Sequence, residues 1–378
     1  IYGEGNHGVM KSEVFFTDMR AEIGDTIPDK FRRLILKAGF GNIDFDKKFV
    51  AIKMHFGELG NLAYLRPGYP RVIAEEVRNK GGVPFLTDCN TLYTGNRKTA
   101  PEHLDTANYN GFNRMSAGCQ IIIGDGLKGT DDVEIPIDGK YVETAKIGRA
   151  IHDADILVTL SHFKCHELTG FGGALKNISM GCASRRGKME MHAAGKPSVD
   201  SDECVGCGTC LKYCAQNAIA LIKKKAVIDH NNCVGCGRCI GACRYDAISV
   251  ENDEDAEILN AKIVEYAMAT VKDKPHFHAT VMTDISPYCD CHSENDTPVI
   301  PDVGMLASFD PVALDRACID LALKQPPVKG SVLYEKCGHD IPEDMFACIH
   351  PDTRWQSTFE HAEKMNFGSK VLCHLVSG

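Results

Sequence analysis

Eight of the 18 cysteines have a spacing that is typical of iron–sulfur cluster ligands. The pattern C-x2-C-x2-C-x3-C occurs twice, offset by 29 residues, at Cys204, Cys207, Cys210 and Cys214 and again at Cys233, Cys236, Cys239 and Cys243. Three thiolates two residues apart can wrap one cubane, whereas the fourth points to a neighbouring cubane. The spacing therefore predicts two 4Fe–4S clusters and the transfer of single electrons.

The two predicted clusters share their ligands crosswise. Cluster one takes Cys204, Cys207, Cys210 and Cys243, and cluster two takes Cys233, Cys236, Cys239 and Cys214. The offset repeat extends beyond the cysteines, since Cys-Val-Gly-Cys-Gly occurs at 204–208 and at 233–237. The glycines let the backbone approach each cluster closely. Zinc knuckles use pairs of C-x2-C, and a disulfide framework does not explain a repeat, so both alternatives fit less well.

This segment resembles the bacterial two-cluster ferredoxins. That family usually has proline after each fourth cysteine, whereas this chain has Ala215 and Arg244. The resemblance implies an α+β module of two related halves. The departure at the two prolines leaves the cluster potentials open.

A second group of reactive residues follows an apolar run, Ile156–Leu160, that predicts a strand. His166 lies just beyond it, and Lys176 and Asn177 follow a glycine loop at Gly170–Gly173. Side chains past the carboxyl end of a strand in an open α/β sheet line the usual ligand crevice. A glycine loop, a helix start and a lysine suit a small anionic ligand. A simple glycine turn with a solvated lysine is the alternative.

A third group is the C-x-C-H sequence formed by Cys289, Cys291 and His292. Two thiolates and an imidazole suit zinc or iron, so these residues could hold an additional metal ion. Cys182 could supply a further thiolate. The alternative is two buried cysteines in a thiol-rich core. The flanking Asp284–Asn295 segment is polar, which favours a functional loop.

The elements that position these groups alternate between strand and helix patterns. Strand-like runs recur at 13–16, 49–56, 83–87, 120–123, 156–160 and 371–376, and helical spacing recurs at 29–38, 70–79, 256–271, 313–323 and 355–366. Strands separated by helices predict a mainly parallel, doubly wound α/β sheet. Residues 1–195 and 253–378 would form one α/β body, interrupted at 196–252 by the ferredoxin-like insert. Three domains in a row are the alternative.

The bulk composition excludes several classes of protein. No apolar run approaches the roughly 18 residues of a membrane span. The only basic run, Lys223–Lys225, is too short for a nucleic-acid surface, and the formal charge is −9. Thiolates that bind iron must stay reduced, so we expect a cytoplasmic location in an organism that avoids oxygen.

Nearly the whole chain resembles a family of iron–sulfur proteins known as domain of unknown function 362. The resemblance rests on four segments, Val14–Arg20, Thr87–Gly95, Phe163–Gly181 and Cys289–Asp315. The inserted ferredoxin also occurs in that family. The resemblance brings no agreed reaction with it, so it informs the fold and the clusters more than the activity.

The leading hypothesis is an iron–sulfur redox protein, such as a 4Fe–4S oxidoreductase of unknown substrate, in which the insert exchanges electrons with a site in the α/β body. His166 would donate a proton, because imidazole titrates near neutral pH, and Lys176 would bind an anionic group. A redox partner protein is expected. The alternatives are an electron carrier that docks a partner enzyme and a protein that delivers a metal or cluster. The substrate, the direction of electron flow and the oligomeric state stay open.

Overall fold

The computed structural model describes residues 11–92, 95–192, 196–214, 216–233, 235, 237–249, 256–368 and 370–375. One predicted cluster ligand, Cys236, lies outside these residues. The predicted boundaries near residues 195 and 252 also lie outside them and stay predictions.

The described residues contain sixteen strands. They are β1 Lys11–Asp18, β2 Phe49–Lys53, β3 Val83–Thr87, β4 Gln120–Ile121, β5 Asp132–Pro136, β6 Thr144–Gly148, β7 Ile156–His162, β8 Lys164–His166, β9 Gly170–Gly172, β10 Ser198–Val199, β11 Ile219–Ile222, β12 Lys225–Ile228, β13 Ile248–Ser249, β14 His276–Met282, β15 Gly304–Ser308 and β16 Lys370–Leu375.

The described residues also contain fourteen α-helices and one short 3₁₀ helix, Phe40–Asn42. The α-helices are α1 Ile27–Lys37, α2 Gly68–Asn79, α3 Ala100–Tyr109, α4 Arg114–Ala117, α5 Arg149–Asp153, α6 Ala174–Ile178, α7 Arg185–His192, α8 Thr209–Tyr213, α9 Arg238–Ala242, α10 Ala256–Val271, α11 Pro311–Ala322, α12 Val332–Cys337, α13 Met345–Ile349 and α14 Gln356–Lys364.

Eight strands form the central sheet, in the order β16-β1-β15-β14-β7-β2-β3-β4. Seven of them run in one direction, and β15 runs antiparallel to both of its neighbours. The strands β1 to β7 precede residues 196–252 in sequence, whereas β14 to β16 follow them. Both flanks of that segment therefore contribute to one sheet, and the predicted mainly parallel α/β fold is confirmed.

Helices cover both faces of this sheet because its strands are apolar on both sides. In β2, Val50 and Ile52 belong to the core cluster that includes Phe31 of α1, whereas Ala51 belongs to the cluster that includes Val264 of α10. Successive residues of a strand point to opposite faces, so one strand contributes side chains to both hydrophobic cores. This arrangement leaves the carboxyl ends of the parallel strands as the open edge where loops can gather.

The described residues between 198 and 249 fold as two copies of one small unit. The pair Val199↔Ile248 in β10 and β13 corresponds to the pair Ile228↔Ile219 in β12 and β11, each partner being displaced by 29 residues. The helices α8 and α9 show the same displacement. The repeat in sequence is therefore matched by a repeat in backbone geometry.

This repeated unit packs against helix α7 of the body. Met189 of α7 and Leu92 share a buried cluster with cysteines of both repeats. At Gly237, which has φ +66°, a Cβ atom would lie 2.7 Å from the Arg185 side chain. Glycine is required there both for the left-handed backbone and for the close approach of α7.

The structure joins Cys337 and Cys348 by a disulfide, with their Cα atoms 6.5 Å apart. The sequence analysis did not predict this pair, because the spacing of the two cysteines does not show that α12 and α13 pack together. Disulfides are uncommon in a reducing compartment. The cytoplasmic location therefore stays a prediction.

Candidate functional site

A cavity of about 640 Å³ opens at the carboxyl ends of the parallel strands. Lys53 ends β2, Asp88 follows β3 and His162 ends β7, and all three line it. The loop after β14 closes one side with Cys289 and Cys291. The crevice therefore lies where ligand sites of open α/β sheets are usually built.

The loop after β14 is anchored by one buried carboxylate, Asp290. Its side chain lies 2.9 Å from Nδ1 of His162 and accepts a hydrogen bond of 3.1 Å from Lys164 Nζ. Burial alone would raise the pKa of Asp290, but the charges of His162 and Lys164 hold it well below 3.8. The backbone of Asp290 also accepts a hydrogen bond from Glu58 N, at 2.9 Å. The loop is therefore held rigidly at the cavity.

The two cysteines of this loop interact inside the cavity. A hydrogen bond from Cys291 holds the pKa of Cys289 well below 9.0. Burial opposes this shift, whereas the neighbouring Lys176 and His166 add to it. The same bond raises the pKa of Cys291, whose proton it retains. Lys176 Nζ lies 4.0 Å from Cys289 Sγ and contacts His166 Nε2. These neighbours favour the thiolate form of Cys289, the form of cysteine that acts as a ligand, a nucleophile or a redox group.

Glu167 and His292 meet at the rim of the cavity. Glu167 Oε1 lies 3.1 Å from His292 Nε2, and this contact raises the pKa of His292. Burial alone would raise the pKa of Glu167, but His166 and His292 hold it below its ordinary value. The ligand atoms of Glu167, His292 and Cys291 lie within 4.8 Å of one another. Within the described part of the chain, these three form the group that could hold a metal ion.

Asn177 ties two strands together at the floor of the cavity. Its Oδ1 accepts a hydrogen bond of 2.7 Å from Lys53 Nζ, which also lies 3.0 Å from Asp88 Oδ1. Its Nδ2 lies 3.0 Å from Ser161 Oγ and 3.2 Å from the Leu160 carbonyl. The side-chain amide of Asn177 thus forms hydrogen bonds with residues of β2 and β7, and these contacts indicate a structural role.

The helix start beside the glycines already has an internal partner. Asp315 of α11 accepts hydrogen bonds from the amides of Ala174 and Leu175, at 2.6 and 2.8 Å. Burial raises the pKa of Asp315 to about 7. The backbone amides that were expected to bind an anionic ligand therefore already donate to Asp315. Helix α6 contributes the side chain of Lys176 to the cavity. The glycine loop itself is largely a strand, β9, paired with β8.

A buried arginine forms the far wall of the cavity. Arg97 Nε lies 2.9 Å from Glu58 Oε2, and its Nη1 lies 3.0 Å from His55 Nε2. Burial and the charge of Arg97 lower the pKa of His55 to about 3. A neutral imidazole therefore faces the cavity on this side.

Two smaller cavities, of about 20 Å³ each, lie within the repeated unit. The first gathers Cys204, Cys207, Cys210 and Cys243. The second gathers Cys233, Cys239 and Cys214. Each cavity thus combines cysteines of one repeat with the fourth cysteine of the other. The assignment of these cysteines as ligands of two clusters stays a prediction, and Cys236 lies outside the described residues.

Helix α7 separates these small cavities from the large one. Lys188 and His192 line the large cavity, whereas Met189 packs among the cysteines. On the same side, Lys98 Nζ donates to the Cys243 carbonyl at 3.3 Å and forms an ion pair with Asp246. One helix and one loop therefore form the partition between the two kinds of site.

The structure brings most of the predicted site residues to one cavity. His166, Lys176, Asn177, Cys289, Cys291 and His292 all line it. Cys182 does not line it and instead donates to the Asn177 carbonyl at 3.7 Å. The sequence analysis missed Glu167, Lys164 and Asp290 as members of the site. A signal was present, because these residues adjoin His166 or lie inside the C-x-C motif.

Comparisons with known proteins give a family and two distant structural likenesses. No curated protein sequence matches the chain. A solved lactate racemase apoprotein from Thermoanaerobacterium thermosaccharolyticum is 15% identical, with a TM-score of 0.37, over 74% of this chain and 51% of that one. A structural-genomics protein from Thermotoga maritima is 13% identical, with a TM-score of 0.41, over 78% and 58%. The chain thus spans between half and three fifths of the length of these structures.

Among the described residues, no helix has both the length and the apolar character needed to cross a membrane.

The family profile described as Domain of unknown function (DUF362) matches residues 50–320, which is more than half of the chain. Those residues include the central strands, the loop after β14 and all eight repeated cysteines. The chain therefore belongs to the DUF362 family of domains of unknown function.

Proposed function

We propose that this protein is an iron–sulfur oxidoreductase in which two 4Fe–4S clusters exchange electrons with a substrate in the large cavity. The observation that carries the proposal is the crosswise gathering of cysteines. In each small cavity, Cys243 or Cys214 joins the cysteines of the other repeat. That is the arrangement by which two-cluster ferredoxins share their fourth ligands.

The backbone around the cysteines supports cluster binding. The four glycines that follow the first and second cysteines of each repeat have positive φ, between +66° and +72°, at Gly206, Gly208, Gly235 and Gly237. Backbone amides also point at sulfur: Ala226 N lies 3.3 Å from Cys204 Sγ, and Ala218 N lies 3.2 Å from Cys214 Sγ. Such hydrogen bonds stabilise cluster thiolates and tune their potentials.

The position of α7 supports electron exchange with the large cavity. Met189 is buried among the cysteines, and its neighbour Lys188 lines the cavity. When bound, the clusters would supply electrons one at a time. Two clusters behind one wall would allow two single-electron steps at the same substrate.

The cavity supports a small anionic substrate. Lys176 projects into it beside His166 and the sulfur of Cys289. Lys176 would bind a negatively charged oxygen, and His166 would donate a proton. Backbone amides of Leu168 and Thr169 orient the His166 ring through Nδ1, at 3.1 and 3.4 Å.

A cavity of about 640 Å³ with ionisable walls favours this function over a carrier that only docks a partner. A carrier needs no such crevice, and its α/β body would be expected to present a shallow or filled surface. The redox partner protein and the cytoplasmic location remain part of the proposal.

His166→Ala and Lys176→Ala are each expected to lower turnover with a low-potential electron donor by about 100-fold or more, the usual contribution of a positioned proton donor. Both variants should keep the visible absorbance of the clusters. The exposed His152→Ala is the control and should keep full turnover. The measurement is anaerobic donor oxidation with a panel of small carboxylates and oxyanions. Full activity of both variants would contradict a substrate site at this place.

A further inference from the structure

Three potential metal ligands from two separate segments meet at the rim of the large cavity. Glu167 lies in the turn between β8 and β9, whereas Cys291 and His292 lie in the loop after β14. Their ligand atoms fall within 4.8 Å of one another. The strands before these segments, β7 and β14, are parallel neighbours, so both segments leave the sheet at the same edge.

The donor atoms favour a particular class of ion. Binding of a metal ion would displace the proton of Cys291. The resulting thiolate, an imidazole and a carboxylate suit zinc and similar transition metals, whereas calcium and magnesium prefer oxygen ligands alone. Bond lengths of about 2.0–2.3 Å in a tetrahedron place the ligand atoms roughly 3.4–3.8 Å apart. The Glu167–His292 separation of 3.1 Å lies close to that spacing. The ligand atom of Cys291 lies within 4.8 Å of the other two.

We propose that Glu167, Cys291 and His292 form a divalent transition-metal site, filled by Zn²⁺, with a fourth position open to the cavity. Three protein ligands and one open position are typical of catalytic zinc. The open position would take an oxygen of the anionic substrate, while Lys176 binds another part of it. The metal site stands independently of the clusters, but this role in binding substrate rests on the proposed function.

The surroundings hold the loop that carries Cys291 and His292 in place. The His292 carbonyl accepts a hydrogen bond of 3.1 Å from Asn61 Nδ2, and its amide donates to the Cys289 carbonyl at 3.0 Å. Asp290 lies between the two cysteines, and its buried side chain is held by His162 and Lys164. Such supporting contacts orient metal ligands and raise affinity. His292 is 44% exposed, which gives an ion access from solvent.

This ligand set differs from the one that the sequence suggested. Cys289 is only 6% exposed and faces Lys176 and His166. Glu167 takes the place that Cys289 was expected to fill. The two sets make opposite predictions for single substitutions, so they can be separated experimentally.

The test uses cluster-loaded protein, freed of adventitious metal with a chelator, and Co²⁺ as the probe. With both clusters oxidised and diamagnetic, high-spin Co²⁺ is visible by EPR, and Zn²⁺ should displace it. We expect one Co²⁺ per chain. E167Q, C291S and H292Q should each weaken Co²⁺ binding by at least about tenfold. C289S should bind Co²⁺ with less than a threefold change, as should the control C119S, which alters a buried thiol of the main core.

No Co²⁺ signal in the wild-type protein would overturn the proposal. Loss of binding in C289S with retention in E167Q would also overturn it, in favour of the set that contains both cysteines. Iron content is measured on the same samples. Because it reports the clusters separately, failure of the metal site and failure of the proposed redox function give different results.

Discussion

Serine in place of Cys243 is expected to remove cluster one, although the other three ligands of that cluster belong to the first repeat. Iron should fall from about eight to about four per chain. The freed thiols of Cys204, Cys207 and Cys210 should then react with iodoacetamide, while Cys233 and Cys239 stay protected. The physical reason is that Cys243 closes the first small cavity. Cysteine-resolved mass spectrometry of anaerobic samples is the measurement.

The reciprocal variant sharpens this result. Cys214→Ser should remove cluster two and expose the cysteines of the second repeat, since Cys214 lines the second small cavity. Cys119→Ser, in the core of the body, should change neither iron content nor protection. If Cys243→Ser instead exposed Cys233 and Cys239, each repeat would bind its own cluster, and the crosswise partition would be wrong.

Removing the carboxylate of Asp290 is expected to cost about 3–5 kcal/mol of stability, because Asp290→Ala leaves Lys164 and His162 buried without their partner. For a chain of this length, that cost corresponds to a fall in Tm of about 4–6 °C. The loop that carries Cys289 and Cys291 should also loosen. Anaerobic differential scanning calorimetry measures the first effect, and protease sensitivity near residue 290 measures the second.

The cost should depend on pH in a defined direction. The native pKa of Asp290 lies below its ordinary value of 3.8, so the carboxylate contributes stability above that pH and loses it as the pH falls. The difference between wild type and Asp290→Ala should therefore be full at pH 7 and shrink below about pH 4. Asp320→Ala, which breaks an exposed pair with Arg316, should cost at most about 1 kcal/mol. Equal costs for the two variants would contradict the anchoring role of Asp290.

Much of the body could be predicted from apolar periodicity and helix signals. The strand at 83–87 and the helix at 256–271 have the expected bounds. Asp310 caps α11 by accepting hydrogen bonds from two amides of its first turn, which is a common role for aspartate before a first-turn proline. These elements are governed by local chemistry, so their sequences suffice. The strand predicted at 49–56 ends at Lys53, because the chain beyond it turns into the cavity wall, with φ +79° at Gly57.

The strand order could not be read from the sequence. Antiparallel β15 lies between β14, which precedes it closely in sequence, and β1, whose paired residues lie nearly 300 positions away. For the candidate site, too, only residues that belong to a local sequence motif could be predicted. His166, Lys176 and Cys289 could be predicted because each belongs to a recognisable motif.

Glu167 was missed because a lone glutamate gains meaning only when His292 is brought to 3.1 Å from it. Asp290 was missed because its partners, His162 and Lys164, lie on another strand and its neighbouring turn. Their positions near His166 and inside the C-x-C motif were a local signal, but the long-range pairs that give them a role cannot be read from the sequence.

The central claim is that two cubanes are held by cysteines exchanged between the two repeats. Quantifying iron and acid-labile sulfide in anaerobically prepared wild-type protein tests it most directly. The account predicts about eight of each per chain. A colourless protein without labile sulfide, even after reconstitution with iron and sulfide, would contradict it.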